Sequence, residues 1–197
     1  MKVPFIDILR FENGFYETVT QKAAELIKNG HFVGGPVVGQ FETALKDYTK
    51  TAFALGCANG TDAIQLALRA AGVKKNDKVL LPDMTFWATF ESVVNVGAVP
   101  YTLDVSRETL HLTVASVKEG IEKFKPQALI LVHLYGWACP ETVEIRKLCK
   151  DSNVILIEDC AQAIGTKINN ESLIAGAMAA TTSFYPAKVL GASGDAG

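Results

Sequence analysis

Several absences narrow what this chain can be. Its four cysteines, Cys57, Cys139, Cys149 and Cys160, include no close-spaced pair, which argues against a zinc ribbon or a dithiol redox centre. Lying in apolar segments, they read as small buried hydrophobes, and no metal site is expected. No apolar run approaches the ~20 residues that span a bilayer. The N-terminus, Met1 to Asp7, lacks the apolar core of a secretory signal. A soluble, cytoplasmic protein that engages no membrane is therefore expected, and the glycosylation sequons at Asn59 and Asn170 are read as chance. No basic block occurs: 19 Lys and Arg against 21 Asp and Glu give a net charge of −2, which does not favour nucleic acid. A GxGxxG loop is missing too. Gly34 to Gly39 has the wrong spacing, and Gly191, Gly194 and Gly197 follow no dinucleotide-type strand, which weakens a Rossmann dehydrogenase reading.

What is present is a core. In 197 residues, 49% are hydrophobic, enough for one domain or two. An N-terminal arm is expected first, then a helix from Glu17 to Lys28 carrying Val19, Ala23, Leu26 and Ile27 at helical spacing. Gly30 to Pro36 breaks it as a loop, and a second helix is expected from Val38 to Lys50. From residue 52 the rhythm becomes strand and helix in alternation. Strands are expected at Phe53–Cys57, Lys78–Pro82, Val99–Val105, Ala128–Leu134 and Val154–Ile157. The helices between them are Thr61–Ala71, Phe86–Val96, Val114–Phe124 and Thr142–Lys150. That alternation predicts an α/β fold, a mostly parallel sheet flanked by helices.

Four stretches carry chemistry. Lys188 lies beyond a β-leaning run, Ala179 to Tyr185, and behind Pro186, which ends the strand and sets the lysine on a fixed turn. A lysine amine can form a Schiff base with an aldehyde, although a lone lysine in a loop is ordinarily a surface charge. Asp159 and Glu158 close the buried run Val154–Ile157, at the strand end where open α/β sheets bind ligands. Gly60, Thr61 and Asp62 open a helix, where N–H groups and the dipole favour a phosphate; an ordinary N-cap uses the same residue types. Phe86 and Trp87 follow another buried strand. An amine, a carboxylate, a phosphate cradle and an aromatic plate are together what pyridoxal 5'-phosphate requires.

The segments CANGTDAIQLAL, LPDMTFWATFESVVNVGAVPYTLDV, LVHLYG, IEDCAQAIGT and TSFYPAKVLGASGDAG, in this order, resemble the DegT/DnrJ/StrS family of nucleotide-sugar aminotransferases from Pro4 to Gly197. The resemblance implies the large domain of fold-type I (aspartate-aminotransferase-like) enzymes. It divides the chain into an N-terminal arm and helices, 1–50, and an incomplete cofactor-binding domain, 51–197. Relatives continue through a further strand, more helices and a small C-terminal domain, expected to be absent here, so the 197 residues alone are expected to be inactive.

The resemblance also assigns roles. Lys188 becomes the Schiff-base lysine and general acid/base, and Asp159 the partner of the pyridine nitrogen. Phe86 becomes the plate stacked on the ring, and Ser183 the second phosphate hydroxyl beside Gly60, Thr61 and Asp62. Gln162 is set near the phenolic oxygen, with a solvent-facing role as the alternative; for Asp159 the alternative is a helix cap. Trp87 is expected to pack, and His133 and Glu158 to be structural. Ile164 stands where many relatives have histidine, so that residue's role is absent. The implied reaction moves an amino group from glutamate to a nucleotide-linked keto-sugar, with motifs most like members acting at the sugar 3-position of UDP- or dTDP-linked substrates. A homodimer completing the site is implied. The family's dehydratase branch lacks the Schiff-base lysine, and Lys188 argues against it. Desulfurase or aldolase chemistry on the same fold, or a non-catalytic remnant, remain the alternatives.

Overall fold

In the computed structural model, Val3, Asp7 and residues 11–197 are described; most of the expected N-terminal arm lies outside the described residues. The centre of the molecule is β3, Ala128–Val132, an unbroken apolar run buried at all five positions. Because side chains alternate across a strand, Ala128, Ile130 and Val132 enter one core, and Leu129 and Leu131 enter the other. The neighbouring strands β1 (Lys78–Pro82) and β4 (Ile155–Asp159) divide the same way. Val79, Leu81 and Ile157 face the first core, and Leu80 and Leu156 the second. Both faces of the sheet are therefore covered, as continuous apolar strands require.

With β2 (Val99–Leu103) and the short β7 (Ala180–Thr181), the strand order is β2-β1-β3-β4-β7, every pairing parallel. A two-stranded antiparallel ribbon, β5 (Lys167–Ile168) with β6 (Glu171–Ser172), lies between β4 and β7 in the chain. On the first face α3 (Gly60–Ala70) and α4 (Trp87–Asn95) supply Ile64, Leu68 and Val93. On the other, α5 (Val114–Phe124) and α6 (Thr142–Asp151) supply Val117, Ile145 and Cys149. The α5 start is closed by a capping box between Thr113 and Ser116 and by Glu141, whose carboxylate accepts the Val114 N–H at 2.7 Å; each such cap stabilises a helix by ~1 kcal/mol. Gly120 lets α5 lie close to the sheet, since a Cβ there would stand 2.8 Å from a Leu103 methyl.

The first two helices are α1 (Phe15–Lys28) and α2 (Pro36–Thr49). No residue of α1 is buried. α2 is tied to the sheet domain by the Phe41 ring set edge-on to Phe184, centroids 5.1 Å apart, and by Glu42, which accepts the Gly56 N–H at 2.7 Å.

Three expectations are corrected. Phe53–Cys57 forms no strand. A strand needs a ladder, and here only Cys57 exchanges backbone hydrogen bonds, with Gly197, at 2.9 and 3.1 Å; Phe53 and Leu55 are 89% and 83% exposed. The run Ala179–Tyr185 is paired only at Ala180–Thr181. Beyond it Phe184 gives its N–H to the Ala196 carbonyl, not to β4. The last core strand is shifted toward its C-terminus, so that Glu158 and Asp159 are strand residues paired with Leu131 and Val132. Between residues 52–57 and 177–182 runs a groove of about 540 Å³, beside which the Thr181 hydroxyl is buried without a hydrogen-bond partner.

Candidate active site

The parallel strands bring their carboxyl ends to one edge, and the chemistry-bearing side chains gather there. Asp159, 6% exposed, ends β4. Its Oδ1 accepts the Ala161 N–H at 3.1 Å, and its Oδ2 accepts the Thr89 hydroxyl at 2.9 Å. Burial pushes the carboxyl above its usual range. The Ala161 N–H, the Thr89 hydroxyl and the charge of Lys188 pull it back only in part. A buried acid of this kind at a cleft edge is a candidate functional group.

Lys188 ends a turn closed by its own N–H on the Tyr185 carbonyl at 2.8 Å, with Pro186 in the second position, where a fixed φ is favoured. Its Nζ lies 5.9 Å from the centre of the Phe86 ring. Phe86, the residue before α4, is 74% exposed, so this large ring presents a face beside an amine. Trp87 stacks on Phe90 at 5.3 Å yet stays 65% exposed, so it packs on one side only.

Across the edge stands the start of α3. Asn59 caps it, accepting the Asp62 N–H at 2.8 Å and donating to the Asp62 carboxylate at 3.2 Å. Asp62 is thus engaged in closing the helix. The donors that remain for an anion are the first-turn N–H groups of Gly60 and Thr61 and the Thr61 hydroxyl. A Cβ at Gly60 would stand 2.8 Å from the Ser183 Cβ, so the missing side chain lets a residue from beyond β7 come against the helix start. Gly60 and Ser183, distant in sequence, form one cradle. Gln162 sits in the turn after β4, half-buried; its carbonyl lies 2.5 Å from where a Cβ of Gly136 would be. Its side chain makes no hydrogen bond to another described residue, so it is near Asp159 in the chain without being joined to the Lys188 group. The 540 Å³ groove is a different place: neither Lys188 nor Phe86 lines it.

Residue-by-residue reading missed two arrangements. Thr89, in the first turn of α4, reaches Asp159, and Thr85, two residues before the helix, has its hydroxyl 2.8 Å from that of Thr89; their four-residue spacing was the only signal. On the opposite face of β4, Glu158 is fully buried. It accepts the Arg146 guanidinium at 2.8 and 2.9 Å and His133 Nε2 at 3.0 Å. Since His133 Nδ1 accepts the Cys139 N–H at 3.1 Å, the ring proton is on Nε2. Burial raises the Glu158 carboxyl, but the hydrogen bonds from His133 and Arg146 and the charge of Arg146 outweigh it and leave it below its usual value. Among the described residues no cluster of three or more His, Cys, Asp or Glu could hold a metal ion, and no helix is long and apolar enough to cross a membrane.

A mostly parallel sheet flanked by helices, superposing on solved pyridoxal-phosphate aminotransferases, places the chain in the fold-type I class of pyridoxal-phosphate enzymes. Within that class the chain belongs to the DegT/DnrJ/EryC1/StrS aminotransferase family, whose profile matches residues 15–197. It is 36% identical over 197 residues to the "pleiotropic regulatory protein" of Geobacillus stearothermophilus, covering 100% of this chain and 52% of the relative. It is 34% identical to the UDP-N-acetyl-3-dehydro-alpha-D-glucosamine 3-aminotransferase of Acidithiobacillus ferrooxidans, covering 99% of this chain and 52% of that protein. Among solved structures, NtdA of Bacillus subtilis, with the cofactor PMP bound, superposes with a TM-score of 0.90 at 32% identity, over 99% of this chain and 44% of that one. The chain thus spans about half the length of the curated relatives it matches.

Proposed function

We propose that this chain is the cofactor-binding part of a cytoplasmic, homodimeric pyridoxal-phosphate aminotransferase that moves an amino group from glutamate to a nucleotide-linked keto-sugar. The placement of the Lys188 amine beside the exposed Phe86 face, with buried Asp159 within electrostatic reach, carries this reading. The naming of the Acidithiobacillus relative as a UDP-sugar 3-aminotransferase supports the substrate class. In this division residues 1–50 form the arm and first helices and 51–197 the large domain.

The residues fit the cofactor. The Gly60 gap that a Cβ would fill, with Thr61 and Ser183, suits a phosphate, and Asp62 keeps the cradle closed through Asn59. Phe86 offers a flat apolar face to the ring. Asp159, ionised, would hold a proton on the ring nitrogen, and Gln162 would lie at the phenolic oxygen. When bound, the cofactor would carry the amino group and draw off the electrons of the donor's Cα–H bond. Lys188 would hold the cofactor through its amine and, with that amine free, would take and return the proton at the donor's Cα as general base and acid.

The test is the visible absorbance of the protein on adding pyridoxal 5'-phosphate, with Lys188→Ala beside it, then glutamate. A band absent in the variant and bleached by glutamate would support the cofactor, the lysine and the donor together. A band that glutamate leaves unchanged would move the reading to another reaction of the fold, such as a desulfurase or aldolase. No band from a folded protein would favour a non-catalytic remnant.

A further inference from the structure

We infer that Thr89 is a positioning residue for Asp159, and that with Thr85, just before α4, it makes the entry to that helix the element that aims the carboxylate at the ring nitrogen. This rests on the proposed cofactor reading and extends it to residues outside the cofactor's contacts. Thr89 is fully buried, and its hydroxyl sits between two oxygens, Thr85 Oγ1 at 2.8 Å and Asp159 Oδ2 at 2.9 Å. An ionised carboxylate only accepts, so the Thr89 proton goes to Asp159 and Thr85 donates to Thr89. The chain Thr85→Thr89→Asp159 therefore has one direction when the acid is charged. With Ala161 N–H on Oδ1, the two oxygens are each held by one donor from a different element, which fixes the plane of the carboxylate. Each oxygen keeps acceptor capacity for one further donor.

The same turn carries Phe86, whose carbonyl accepts the Thr89 N–H at 3.1 Å. One short stretch of backbone thus sets both the plate that would cover the ring and the hydroxyl that orients the acid at its edge. Among the described residues the cation acting on Asp159 is Lys188, which changing Thr89 would not alter.

The experiment measures binding of two probes, pyridoxal 5'-phosphate and its deaza analogue in which carbon replaces the ring nitrogen, to the native protein, Thr89→Val, Thr89→Ser and Thr85→Val. Valine keeps the shape and removes the hydroxyl. Thr89→Val is expected to weaken the natural cofactor roughly ten-fold, the size of a hydrogen bond to a charged group, while leaving the analogue's affinity unchanged. Thr89→Ser is expected to restore native binding of both. Thr85→Val should show the same selectivity with a smaller loss, and it carries the test if Thr89→Val does not fold. An equal loss for both probes, or none for either, overturns the inference in favour of plain packing. A native protein that binds neither probe overturns the cofactor reading itself, and this inference with it.

Discussion

Asp159 costs the fold stability in its ionised form. Its folded-state pKa is raised above the ordinary 3.8 by burial, so the folded protein holds its proton more tightly than the unfolded chain does. Stability from this group is present at acid pH and declines as pH rises from the ordinary carboxyl range through the raised value. Asp159→Asn should therefore stabilise the cofactor-free protein at neutral pH by about 0.5–2 kcal/mol, the gain shrinking toward acid pH, while cofactor binding weakens. Thermal melts across pH, with and without cofactor, check both halves. That Asp159 would stand at the end of a buried strand was legible from a carboxylate ending an apolar run. Its hydroxyl partner was not, because Thr89 lies 70 residues away and a threonine in a helix gives no sign of what it touches.

The cradle belongs to the element scale, since α3 and the exit of β7 build it together. Asn, Gly, Thr and Asp in succession marked a helix start, and the start is there. The close approach of Ser183 marked nothing in the sequence, because pairing between distant segments has no local signature. Gly60→Ala would set a methyl against Ser183, 2.8 Å between carbons, an overpacking that costs about 1–3 kcal/mol. The expected outcome is unchanged helix content with a weaker hold on inorganic phosphate and on the cofactor, read by circular dichroism and by titration. The same limit explains Phe53–Cys57. Its composition suits a strand, but a strand is a relation between segments, and only Cys57 has its ladder contact.

At the scale of the molecule, the layers were readable because buried parallel strands are continuous apolar runs, and β1, β3 and β4 are such runs. The ionic tie between layers was not. Arg146 of α6 binds Glu158 of β4 and the Leu173 carbonyl at 2.6 Å, so one guanidinium joins a helix, the sheet and the turn before β7. Glu158's lowered pKa means that its contribution is present above the ordinary 4.5 and is lost as pH falls through the depressed value. Arg146→Ala leaves a buried carboxylate short of its main partner and should cost about 3–5 kcal/mol. Urea unfolding at neutral pH measures it, and the difference from the native protein should narrow in acid.

The strand order has a kinetic side as well. Every pairing in the main sheet joins residues fewer than 50 positions apart, from Lys78 with Val99 to Val79 with Ala128, whereas Ser183 meets Gly60 across more than half of the chain. Contacts between distant segments wait for the closure of long loops, while nearer ones form early. The Gly60–Ser183 contact is thus expected among the last to form during refolding, and a molecule that grips it would report on finished chains alone.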